Sequence, residues 1–172
     1  MQKIVLILIC FICFSACKSS KNTAYRSKKS PTSTKAIGAT NATYNPTAES
    51  VINYAKTFNG VKYKYGGSSK KGMDCSGLIV TSFKKEGVLL PRTTSELAVT
   101  GNWVDVKAVK KGDLLFFATK KNSRKVNHVG IVTQSRPGFV EFIHASTSKG
   151  VMLSELSERY WYFAFVQARR IL

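Results

Sequence analysis

The apolar residues of this chain change period once, and that change limits the fold. Between Thr47 and Val99 they recur at helical spacing. After Trp103 they come in short strand-like runs. Pro46-Thr47 before AESVINYAKTF predicts a helix capped by Thr47, with Val51, Tyr54, Ala55 and Phe58 on one face and Asn59-Gly60 as its stop. Val61 to Tyr65 is a short alternating stretch ended by Gly66-Gly67. A second helix is predicted from Cys75 to Lys85, with Leu78, Ile79 and Phe83 as its stripe and Gly87 beyond it. A third, short one covers Thr93 to Val99. Strands are predicted at 114–118, 128–134, 139–145 and 161–168. Turn signals separate them at Lys111-Gly112-Asp113, Lys121-Asn122-Ser123 and Arg136-Pro137-Gly138. Helices first and antiparallel strands second is an α+β plan, with N-terminal helices packed on a C-terminal sheet.

The first 46 residues obey different rules. Lys3, the apolar run Ile4 to Phe14 and the small pair Ser15-Ala16 have the layout of an export signal. As a helix the run would span about 16 Å, short of the roughly 30 Å of a bilayer core. Residues 1–16 are therefore read as a signal peptide. Phe14-Ser15-Ala16-Cys17 is similar to a bacterial lipobox, which would make Cys17 the acylated first residue, with palmitate an expected chain. The alternative is an ordinary signal cut near Ala16. Cys10, Cys13 and Cys17 form no zinc site, since they lie in an apolar run without histidine. Residues 17–46 form a polar tether with six basic residues and no acidic one. Residues 47–172 are the domain.

The formal charge is +18. Residues 50–172 hold 20 Lys and Arg against 8 Asp and Glu, so the excess is not confined to the tether. Export excludes a nucleic-acid partner. It leaves an anionic envelope polymer, anionic lipid, or simply a basic solvated surface.

With Cys17 acylated, Cys75 is an unpaired thiol in an exported protein, and no disulfide can brace the domain. Cys75 opens a helix, where free N–H groups and the positive end of the dipole favour thiolate. The two histidines, His128 and His144, are 16 residues apart in two predicted strands. An odd hairpin loop centred on Arg136 would stand them directly opposite on one face, with Gly130 leaving room beside the rings. One thiol and two imidazoles suit nucleophilic acyl transfer. His128 would be the base and His144 would hold it, and such chemistry needs no metal or cofactor.

The segments Tyr63-Lys-Tyr-Gly-Gly67, Asp74-Cys-Ser-Gly-Leu78, Leu90-Pro-Arg-Thr93, Lys111-Gly-Asp-Leu-Leu-Phe-Phe117, His128-Val-Gly-Ile131 and Phe142-Ile-His-Ala-Ser146 occur in that order. Together they resemble the NlpC-type family of cell-wall cysteine endopeptidases, over roughly residues 47–172. The resemblance implies a papain-like fold and a catalytic set of Cys75, His128 and His144. It also implies an oxyanion hole from the Tyr63 hydroxyl and the backbone N–H of Cys75. Asp74 would either meet a substrate amine or cap the helix. Ser76 and Arg92 are cleft or structural residues.

The function implied is hydrolysis of an amide next to diaminopimelate or lysine in peptidoglycan stem peptides, by a monomer anchored to the membrane. A wall-binding lipoprotein without activity and an amidase or acyltransferase on the same core are the alternatives. No acidic residue stands directly after Cys17, and Ser19 is two residues beyond it. By the lipoprotein sorting rule this implies the outer membrane, facing the periplasm.

Overall fold

The computed structural model describes residues 44–172. The predicted signal peptide, Cys17 and the tether up to residue 43 lie outside the described residues. Helix α1 (Pro46–Lys56) starts two residues earlier than a cap at Thr47 would give. Asn45 is the cap, accepting the Ala48 N–H at 3.1 Å, and Pro46 takes the first helical position, where its missing N–H costs nothing. A two-stranded hairpin, β1 (Ser68–Ser69) and β2 (Gly72–Met73), leads into α2 (Cys75–Lys84). The alternating stretch before it is not a strand. Tyr63 alone forms an isolated parallel bridge to Met73. Helix α3 (Thr94–Leu97) is a single turn held by a capping box between Thr93 and Glu96.

A short strand, β3 (Asn102–Val104), and a 3-10 turn (Val106–Ala108) precede β4 (Leu114–Phe117), β5 (His128–Arg136), β6 (Phe139–Ser146) and β7 (Gly150–Glu155). The predicted strand at 161–168 divides. Its first half is helix α4 (Arg159–Ala164) and only Phe165–Arg170 is strand β8. The unbroken apolar run Tyr160 to Val166 has no period to separate the two states. The six-stranded sheet has the order β3-β8-β4-β5-β6-β7, antiparallel throughout.

Both faces of the sheet are covered. On one, Ile52 of α1 and Leu78, Ile79 and Phe83 of α2 pack on Phe116, Val129, Ile131 and Ile143. Each such buried side chain contributes about 1.5–3 kcal/mol of transfer free energy. On the other, Trp161 of α4 closes over Leu115, Phe117, Val132 and Phe142. The Ala118 N–H donates to the Ala164 carbonyl at 2.8 Å, pinning α4 in place.

The β5–β6 hairpin departs from the predicted register. Arg136 pairs with Phe139, so the loop is the two-residue turn Pro137-Gly138, with Gly138 at φ +76°. Continued without interruption, that register would place His144 opposite Ile131, facing away from His128. The pairing instead shifts between Val132 and Gln134, where Thr133 is the extra residue of a bulge. His144 therefore pairs with Gly130, and His128 is its diagonal neighbour on the same face. The room expected beside Gly130 is already filled. A methyl there would meet the Phe142 ring at 2.6 Å, the Ile143 carbonyl oxygen at 2.9 Å and the His144 Cβ at 3.2 Å. Gly130→Ala is expected to cost about 1–3 kcal/mol, read as a lowered urea midpoint with unchanged m-value.

Candidate active site

Helix α2 starts at Cys75 because Asp74 ends the extended chain before it. The Asp74 carboxylate accepts the Gly77 N–H at 2.6 Å on Oδ1 and the Gly66 N–H at 2.8 Å on Oδ2. Ser76 donates to Oδ1 at 3.3 Å, and Arg92 donates to Oδ2 at 2.9 Å. Four donors fill the roughly four acceptor sites of a carboxylate. Of the two roles open to Asp74, the structure shows the cap, and the oxygens that a substrate amine would need are engaged. Burial raises the Asp74 pKa, but Arg92 and the Gly77 and Gly66 N–H groups outweigh it, so the carboxyl stays below its ordinary value. Arg92 also donates to the Ser76 hydroxyl at 2.6 Å, joining Leu90-Pro-Arg-Thr93 to the helix start. Gly77 has to be glycine, since a Cβ there would collide with the Gly67 carbonyl.

The Cys75 thiol is buried, and its Sγ lies 3.6 Å from the Thr94 hydroxyl. Burial raises the thiol pKa. The Thr94 hydroxyl and the N–H groups of Val129 and Ser76 pull it back, while the Asp74 charge pushes it further up. The expected helix-start preference for thiolate is therefore outweighed, and the resting group is the thiol. Contact with Val129 sets the first turn of α2 against the start of β5, one residue from His128. Among the described residues Sγ has no hydrogen bond to either imidazole. Tyr63 is bridged to Met73, two residues before Cys75, and its phenol is raised first by burial and then by charge on Asp74 and on the Cys75 sulfur when that is ionised.

The imidazoles form a chain. His128 Nε2 lies 3.0 Å from His144 Nδ1, and His144 Nε2 lies 3.1 Å from the Ser154 hydroxyl. Trp161 stacks on His128 at 5.4 Å and meets His144 edge-on at 4.6 Å. Ser154 and Trp161 escaped the sequence reading. Ser154 sits in β7, a strand not predicted, though Val151 and Leu153 alternate just before it. Trp161 was assigned to a strand. A cavity of about 280 Å³ opens beside the pair, lined by Ser146, Lys149, Ser154 and Tyr160 among others. Among the described residues no group of three or more His, Cys, Asp or Glu is arranged to hold a metal.

Burial lowers His128 to about 4, and burial together with the charge of His128 lowers His144 to about 3. Both are neutral in the folded state at pH 7. The unfolded chain titrates near 6.5, so below that it binds protons the folded state does not. Stability is complete above about pH 6.5 and is lost as pH falls toward 4, by about 1.4 kcal/mol per pH unit for each such proton. Urea midpoints measured from pH 7 to 4 should fall, and His144→Asn should make the fall shallower. A flat profile would contradict neutral burial of the pair.

The sequence profile of the NlpC/P60 family matches residues 60–170. The chain is 42% identical over 114 residues to a probable endopeptidase NlpC homolog of Haemophilus influenzae, covering 66% of this chain and 57% of that protein. It is 41% identical over 116 residues to the murein DD-endopeptidase MepS/murein LD-carboxypeptidase of Escherichia coli, covering 67% and 58%. It thus spans less than two thirds of the length of either relative. An NlpC/P60 family protein from Bacillus cereus, solved by crystallography, matches the fold with a TM-score of 0.65 at 31% identity, over 72% of this chain and 39% of that one. With the matched segment running through the whole site and most of the sheet, the chain belongs to the NlpC/P60 family.

Proposed function

We propose that this protein is a cysteine endopeptidase that hydrolyses amide bonds in peptidoglycan stem peptides, next to diaminopimelate or lysine. The observation that carries this reading is the hydrogen-bonded chain His128–His144–Ser154, which starts one residue along β5 from Val129, whose N–H meets the Cys75 sulfur at a capped helix start. The murein DD-endopeptidase of Escherichia coli, 41% identical, supports the substrate class.

The chain has a consistent proton assignment. Ser154 accepts from His144 Nε2–H, and His144 Nδ1 accepts from His128 Nε2–H. That leaves His128 Nδ1 as the basic nitrogen. His128 takes the Cys75 proton when the substrate carbonyl is in place, and the sulfur attacks the carbonyl carbon. The resulting oxyanion is met by the Cys75 backbone N–H and the Tyr63 hydroxyl. The imidazolium then protonates the leaving amine, giving a thioester. Water, deprotonated by His128, hydrolyses the thioester and restores the thiol. Asp74, Ser76 and Arg92 position this machinery. Arg92 offsets a carboxylate that would otherwise stand uncompensated beside the sulfur. The anchor is acylated Cys17, holding the enzyme on the outer membrane on its periplasmic side.

Purified wall digested with the enzyme, with products identified by mass, tests the bond class. Cys75→Ala should abolish hydrolysis in a folded protein, and full activity there would end the reading. His128→Ala should lose roughly 10²–10⁴-fold. His144→Asn or His144→Gln should retain more activity than His144→Ala, and all three more than His128→Ala. If His144→Ala matched the parent, the holding role would be withdrawn.

Arg92→Gln should lower turnover by raising the thiol pKa, seen as an upward shift in the pH profile of Cys75 alkylation. Arg92→Lys should partly restore the profile. An unshifted profile in Arg92→Gln would leave Arg92 with no electrostatic role at the thiol.

A further inference from the structure

β5 covers eight residue steps from His128 to Arg136, roughly 27 Å at about 3.4 Å per step. At the Arg136 end, away from the thiol and imidazoles, lies a groove of about 1460 Å³ between the start of α1, the 106–113 segment and the β5–β6 turn. Its wall includes apolar Val109, Val140, Leu156 and Leu172. Five cations line it, and two are engaged. Lys111 pairs with Glu49 at 3.0 Å, and Arg170 with Asp113 at 2.7 Å. Lys107, Lys110 and Arg136 form no ion pair among the described residues. Glu49 and Asp113, the side-chain carboxylates lining the groove, are both consumed in those pairs. Apolar walls are thus ringed by three cations with no carboxylate side chain paired to them.

Helix α4 adds a second, independent feature. Trp161 and Ala164 are its buried residues, whereas Tyr162 and Phe163 are 66% and 68% exposed, packed edge to face at 5.4 Å. Tyr162 lines the groove, and neither ring belongs to the catalytic proposal. Exposed aromatic rings beside cations and an apolar hollow match the chemistry of the membrane–water boundary. Tyr44, the first described residue, lines the same groove. The tether itself is a poor occupant. It carries six basic residues and no acidic one, and the groove cations repel it.

We propose that this groove and the Tyr162–Phe163 edge dock on anionic phospholipid head groups, standing the domain with its Arg136 end on the bilayer and its His128 end turned away from it. The orientation rests on the anchor proposed above, whereas the lipid affinity of the groove does not.

The test uses the mature chain from residue 17 with Cys17→Ser, so that no acyl chain contributes. Its sedimentation is measured with vesicles of phosphatidylcholine alone and of phosphatidylcholine mixed with phosphatidylglycerol. The protein should bind only the mixed vesicles. Lys107→Glu with Lys110→Glu should weaken partitioning by about tenfold or more, since each lysine at an anionic surface contributes on the order of 1 kcal/mol. Tyr162→Ser with Phe163→Ser should weaken it severalfold at unchanged charge. Lys84→Glu with Lys85→Glu, at the end of α2 and outside the groove, controls for net charge and should change it little. Equal loss in the control would assign the binding to overall charge and overturn the proposal. Undiminished binding by both groove variants would also overturn it, and would assign the lipid affinity to another part of the chain, the basic tether first. Hydrolysis of soluble wall fragments, followed in parallel, should be at the parent rate in the groove variants. Loss of hydrolysis in the parent with lipid binding intact would sink the enzyme reading and not this one.

Discussion

The arrangement of the two imidazoles depends on one extra residue. A two-residue turn at Pro137-Gly138 gives a register in which His128 and His144 fall on opposite faces of the sheet. Thr133 inserts a single step into β5 and returns them to the same face. The bulge is buried, and the Thr133 hydroxyl donates to the Glu141 carboxylate at 2.5 Å, so the inserted residue is tied to the partner strand. The contacts of the pair follow from it. Phe142 lies beside His144, Ser154 comes into line from β7, and α4 folds Trp161 over both rings.

Much of the fold was legible because period is a strong signal where it is long. The stripe Leu78, Ile79 and Phe83 located α2, and the strands β4, β5 and β6 were found within two residues of their ends. What could not be read was decided by tertiary pairing. The loop residue counts suggested a hairpin centred on Arg136. A loop centred on Arg136 and the observed bulge both put the histidines on one face, but no local pattern marks Thr133 as the inserted residue. β3 and β7 are too short or too mixed to stand out, and Ser154 was missed with β7. Around Trp161 the chain is apolar at every position, so helix and strand could not be told apart. The site residues Cys75, His128 and His144 were visible because the domain has one thiol and two histidines. The thiol's resting state was not, because dipole and cap are local, whereas the desolvation that outweighs them comes from the packed sheet.

That desolvation acts on both partners in the same direction, toward neutrality. A neutral thiol and a neutral imidazole avoid the cost of holding an ion pair in a buried site without substrate. In the proposed mechanism charge separation then belongs to the bound complex, where the carbonyl carbon takes the electron pair of the sulfur.

Asp74 has a different consequence. Its carboxylate ties the Gly66 loop, the first turn of α2, Ser76 and Arg92 to one point, with no acceptor site spare. Substitutions at these positions cannot act independently. A change at Arg92 alters what the carboxylate does to the thiol, and a change at Ser76 alters where the guanidinium rests. A double-mutant cycle across Asp74 and Arg92 would return a large coupling energy in place of two additive losses.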